Sequence, residues 1–190
     1  SKDLYFDPQV SAGNDLFLVS WMTYTTVNAA LLDVTGRRVA DLQVERPGPP
    51  SHYMTREVTA QNVSWNGERI LLVWSVEERG YQSTTTQILA AFVERDGSVS
   101  PPIVIEPAAG TQPAVAWSGS EFLIVWTATG TSARQHLEIR TTRLSPAGAL
   151  LGGSVIVPVS GRTDALRIVW TGERYFLTWL EGQYEHQRLR

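Results

Sequence analysis

The chain has 190 residues, 43% hydrophobic and 18% charged, with a formal net charge of −3. This is a globular composition without basic excess, which argues against a nucleic-acid groove or an anionic membrane surface. With no cysteine there is no disulfide, thiolate metal site or thiol nucleophile, and no apolar run approaches the roughly 20 residues of a membrane span.

In chain order, an apolar patch, Leu4-Tyr5-Phe6, precedes a twelve-residue segment from Val10, VSAGNDLFLVSW. Three later segments align with it without a gap: VSWNGERILLVW from Val63, VAWSGSEFLIVW from Val115 and IVWTGERYFLTW from Ile168. Their starts lie 53, 52 and 53 residues apart, and all seven tryptophans fall in two columns of the alignment. Trp21, Trp74, Trp126 and Trp179 close the segments, while Trp65, Trp117 and Trp170 stand third, where the first copy has Ala12. A repeat of this period is one supersecondary unit that buries its faces against its neighbours.

Each segment predicts a tight hairpin. Gly13-Asn14, Asn66-Gly67, Ser118-Gly119 and Thr171-Gly172 supply the positive φ that such turns need. The returning strand is apolar on both faces: Phe122, Ile124 and Trp126 point one way and Leu123 and Val125 the other, as in a sheet covered on both sides. A third strand is predicted at 30–32, 88–92 and 139–144. After a glycine turn at Gly36, Gly97 or Gly148, a fourth follows at 39–44, 103–105 and 155–157. No helix is expected.

Four strands per repeat predict an all-β fold, a β-propeller, with blades at 10–62, 63–114, 115–167 and 168–190 in a single domain. The tryptophans are expected between blades. The last repeat lacks its fourth strand, and the patch within residues 1–7 is expected to complete it, closing four blades of four antiparallel strands into a monomeric ring. The alternatives are a fragment of a larger propeller, or a half-ring that closes as a homodimer. The motif W-x-G-x-x-[FY]-L-[VI]-x-W, running from Val10 to Trp179, resembles the repeat of exported bacterial β-propeller proteins. The resemblance implies the fold and an extracellular or periplasmic setting, and carries no activity.

The sequence shows no set of catalytic residues. His52, His136 and His186 occupy non-equivalent places without metal-ligand spacing. Glu77-Glu78 reads as a solvated connection after Trp74. The stretch from Gly36 to Val63 takes 27 residues, against 18 and 20 in the next two repeats, and the excess points to a loop presenting Arg46, His52, Tyr53 and Arg56 as ligand contacts. Backbone carbonyls near Val10, Val63, Val115 and Ile168 would converge on the propeller axis, where a structural cation is expected. No other cofactor is expected.

Three readings follow. The first is a non-enzymatic binding or scaffold module whose loops meet a protein or a glycan, with Tyr24, Tyr53 and Tyr81 as further contacts. The alternative is a carbohydrate-active hydrolase with carboxylates at the channel mouth, for which Asp7, Asp33, Glu94 and Asp164 flank strand ends. A structural segment of a larger surface protein is the third.

Overall fold

Strands that are apolar on both faces must be covered twice, so each repeat folds into a small antiparallel sheet that stacks on the next. The computed structural model describes residues 5–45, 55–107, 109–129, 137–152, 155–182 and 188–189, and contains four such sheets. The first comprises β1 (Phe6–Ala12), β2 (Leu16–Met22), β3 (Val27–Asp33) and β4 (Arg38–Glu45). The second holds β5 (Thr55–Trp65), β6 (Ile70–Arg79), β7 (Thr84–Val93) and β8 (Ile103–Glu106). β9 (Gly110–Trp117), β10 (Phe122–Thr129) and β11 (Leu137–Leu144) form the third, whose outer edge is shared by β12 (Leu150–Gly152) and β13 (Ile156–Pro158). The fourth contains β14 (Arg162–Trp170), β15 (Tyr175–Gly182) and β16 (Arg188–Leu189). Neighbouring strands run antiparallel, and no helix among the described residues is long and apolar enough to cross a membrane.

Three cores fill the spaces between sheets, and one rule governs them. The face of β2 carrying Leu18 packs on the face of β6 carrying Ile70, Leu72 and Trp74. Leu71 and Val73, on the opposite face of β6, pack on Phe122, Ile124 and Trp126. Leu123 and Val125 then pack toward Leu177 and Trp179. With positions counted along each twelve-residue segment, the hairpin's odd face meets the next hairpin's even face at all three joints, and Trp74 and Trp126 lie buried in them as expected.

The sheets begin before the aligned segments. Strand pairing starts at residues 6, 55, 110 and 162, four to eight residues ahead of the repeat starts. Phe6 is therefore not the last blade's missing strand: it lies opposite Met22 and belongs to the first sheet. The physical reason is continuity, since Phe6 and Val10 share one strand that reaches β2 without a turn. Leu4 lies outside the described residues. Contacts join β1 to β5, β5 to β9 and β9 to β14, and no contact of similar extent joins β14 back to β1 among the described residues. The sheets form an arc, which fits the fragment alternative.

The β-turns between third and fourth strands also carry packing. Gly97 has a φ of +86°, and a Cβ built there would sit 2.7 Å from the Ala40 Cβ of the first sheet. Gly36, in the equivalent turn, has a φ of +80° with open space around it. Gly36→Ala should therefore cost about 1 kcal/mol for the left-handed backbone alone, and Gly97→Ala about 2–4 kcal/mol once overpacking is added. Urea unfolding midpoints for both variants check the difference.

Candidate functional site

The innermost strands β1, β5, β9 and β14 each carry an irregularity within one residue of the same repeat position. Pairing registers shift between Phe6 and Gln9, between Val58 and Ala60, opposite Val125 and Thr127, and between Asp164 and Arg167. Asp7, Gln112 and Ala165, each three residues before its segment start, have φ of 52°, 51° and 53°. Non-glycine residues with positive φ are uncommon, and β-bulges re-aim side chains at barrel rims and active sites. Here they gather polar groups at one end of the channel.

These groups tie adjacent inner strands together. Gln61 Nε2 donates to the Asp7 carbonyl at 2.8 Å and the Gln61 N–H to Asp7 Oδ2 at 3.4 Å. Gln9 Nε2 donates to Asp7 Oδ1 at 2.8 Å, and Asn62 Nδ2 to Gln9 Oε1 at 3.4 Å. Asn62 Oδ1 accepts from the Val115 N–H at 3.1 Å, while Gln112 Nε2 donates to Asp164 Oδ1 at 3.1 Å. Two buried acceptors, Gln61 Oε1 and Gln112 Oε1, have no hydrogen-bond partner among the described residues. Two clusters result, Asp7 with Gln61 and Asp164 with Gln112, each joining a carboxylate to an unpaired amide oxygen, and each is thus rich in acceptors suited to hydroxyl donors or a hard cation.

The four carboxylates named from the sequence separate into two pairs. Asp7 and Asp164 lie near the starts of β1 and β14, at the bulged end, on the two inner strands that bound the arc. Asp33 and Glu94 lie at the opposite, hairpin end. Asp33 faces Leu16 across β2 and β3, and Glu94 follows Val93, the partner of Ile70. Glu94 is paired with Arg69 at 3.0 Å. Asp33 closes its own turn by accepting from the Thr35 N–H at 2.9 Å, the Thr35 hydroxyl at 2.6 Å and the Arg37 N–H at 3.0 Å.

The Thr35 hydroxyl, with these N–H groups, holds the Asp33 carboxyl below its ordinary value of 3.8. A depressed carboxylate adds stability that is present above the unfolded value and is lost as pH falls through the lower folded value. Thr35→Ala is therefore expected to lower the thermal midpoint at pH 6, with the gap to wild type narrowing as the pH falls below the ordinary carboxylate value. Thermal melts across that range check it.

Arg46, His52 and Tyr53 lie outside the described residues, as do His136 and His186. Arg56 is described, and it is engaged. It sits at the start of β5, donates to Glu45 at 3.3 Å and pairs with Glu78. The carboxylate of buried Glu45 also accepts from Trp74 Nε1 at 2.9 Å, so Arg56, Glu45 and Trp74 clip the first sheet to the second. Glu106, at the equivalent end of the second sheet's outer strand, pairs instead with Arg140 at 3.3 Å, and Trp126 Nε1 has no partner among the described residues. The reading of Glu77-Glu78 as a loop is corrected: both lie in β6, opposite Glu57 and Arg56, because the second repeat's hairpin continues ten residues beyond its turn. Tyr24 and Tyr81 are exposed, as a contact role requires, and Tyr24 packs edge-on against Phe6.

The bulges were invisible in the sequence because Asp7, Thr59, Gln112 and Ala165 share no residue type. Their only signal was an offset of three or four residues from the segment starts.

No protein-family model and no curated protein matches the sequence. Solved structures do match. A GH43 endo-arabinanase from Bacillus licheniformis superposes with a TM-score of 0.57 at 15% identity, covering 95% of this chain and 67% of that one. The native Bacillus subtilis arabinanase gives 0.52 at 12% identity, with 97% and 71% covered, and an α-L-arabinofuranosidase from Lactobacillus brevis 0.52 at 12%, with 98% and 72% covered. These neighbours are five-bladed β-propellers. Likeness at such identity establishes fold alone: the chain has a β-propeller fold, and it spans about seven-tenths of the length of these rings.

Proposed function

We propose that this chain is a carbohydrate-active propeller, exported and related to the W-x-G blade repeat proteins, that hydrolyses a pentose polysaccharide at the bulged mouth of its channel. One observation supports the reading: of the four candidate carboxylates, Asp7 and Asp164 lie on different sheets at the same, bulged end of the inner strands, each accepting from a glutamine amide. Two carboxylates flanking a glycosidic bond suffice for hydrolysis. One protonates the departing oxygen, and the other activates a water or attacks the sugar carbon, so that water is added across the broken bond. Gln9, Gln61 and Gln112 position the pair and supply amide contacts to sugar hydroxyls. The unpaired oxygens of Gln61 and Gln112 also fit the structural cation expected near Val10, Val63, Val115 and Ile168, which would brace the inner strands there.

Likeness to arabinanases and an arabinofuranosidase supports hydrolysis over a purely non-enzymatic module. The test is release of reducing ends from linear arabinan by the purified chain, followed beside its affinity for the same polymer. Binding with turnover is expected. Binding without turnover would leave the glycan module and remove the hydrolase, and neither would remove both.

A further inference from the structure

The packing rule between sheets leaves two faces uncovered, and they are complementary. In the first sheet the even face of the hairpin, with Phe17, Val19 and Trp21, looks away from the second sheet, and Val10 lies opposite Val19 on it. In the fourth sheet the odd face is uncovered, with Phe176 opposite Val169. Inside the arc the same repeat positions are sealed. Val10 is 65% exposed where Val115 is 4%, Phe176 is 59% where Leu71 is fully buried, and Val169 is 53% where Ala116 is 7%. Contiguous apolar surface at positions that elsewhere form a core marks an interface.

We propose that one further blade of this same repeat packs between the fourth and first sheets, its even face on Phe176 and Val169 and its odd face on Val10, Val19 and Trp21. Three observations select a blade over other occupants. Every joint in the molecule pairs an odd face with an even face, and the two free faces are one of each. The rings on which the chain superposes have five blades, against the four sheets here. Superposition leaves about three-tenths of those rings unmatched, enough for a blade and the missing outer strand of the fourth sheet. A second copy presents four sheets to that opening and fits it less well. The blade would also place Asp7 and Asp164 on either side of a continuous inner wall.

The test repeats one period of the sequence. Residues 138–190 are appended after Arg190, which completes the fourth sheet and begins a fifth, and a second variant appends residues 86–137 in the same register. The extended chains are expected to stay monomeric and to melt about 10 °C or more above the 190-residue chain. Val10→Glu should leave the 190-residue chain within about 1 °C of wild type and lower the midpoint of the extended chains by several degrees. No gain in either extended chain, or equal effects of Val10→Glu in both backgrounds, would overturn the proposal. So would a dimer of the 190-residue chain in native mass spectrometry that Val10→Glu or Phe176→Glu dissociates, since a second copy would then occupy these faces. All readouts concern stability and mass, so they stand apart from the hydrolysis assay.

Discussion

Trp74→Ala is expected to lower the unfolding free energy by about 4–5 kcal/mol, enough to leave much of the chain unfolded at 37 °C given the 5–15 kcal/mol typical of a domain. The indole is fully buried between the first and second sheets among Leu18, Leu31, Leu72 and Leu89, so truncation opens a cavity in the largest of the three cores. It also strips the buried Glu45 carboxylate of its Nε1 donor. The two effects separate. Trp74→Phe keeps most of the packing and loses only the hydrogen bond, at about 1–3 kcal/mol. Trp126→Phe at the next joint should cost about 1 kcal/mol less than Trp74→Phe, because Trp126 Nε1 donates to no described group. Trp179→Ala, half-buried at the end of the arc, should cost the least of the alanine variants. Denaturant unfolding followed by circular dichroism measures the series, and equal losses at Trp74 and Trp179 would contradict the arc.

Asp7→Asn and Asp164→Asn are each expected to lower kcat on arabinan by about 100-fold or more, the usual contribution of a positioned acid or base. The substitutions are isosteric, and an amide neither donates a proton at the required moment nor accepts one. Asp33→Asn and Glu94→Gln, at the hairpin end, should leave kcat within about twofold, which makes them the controls that separate site from fold. Asp7 bridges β1 and β5 through Gln61, so its variant must be compared at matched folded fraction. Gln112→Ala removes the donor to Asp164 and is expected to lower kcat by a smaller factor with little change in KM, as for a positioning residue. Loss of activity in the Asp33 and Glu94 variants, with none at Asp7 and Asp164, would move the site to the other mouth.

Much of this architecture was legible beforehand because the repeat constrains local and tertiary structure together. A strand with Phe122, Ile124 and Trp126 on one face and Leu123 and Val125 on the other fits only a doubly covered sheet, and Ile124 and Val125 indeed enter different cores. The glycines at 67, 119 and 172 foretold hairpin turns with positive φ, and all three have it, whereas neither Gly13 nor Asn14 in the first hairpin does. The pairing of Arg56 was not legible because Glu45, its partner, lies eleven residues away across the long first connection, and nothing local shows that the two meet between sheets.

The sequence by itself determined the β-propeller class, the four hairpins and the burial of Trp74 and Trp126. Periodicity and residue size suffice when each unit can bury its faces only against a copy of itself. The tertiary structure decided what periodicity does not encode: that Phe6 continues the first sheet, that no contact like those between neighbouring sheets joins β14 to β1 among the described residues, and that Asp7 and Asp164 lie at the bulged ends of their strands while Asp33 and Glu94 lie at the hairpin end. These depend on strand register and on bulges, where a single extra residue redirects a side chain, and no residue type announces where that residue will fall.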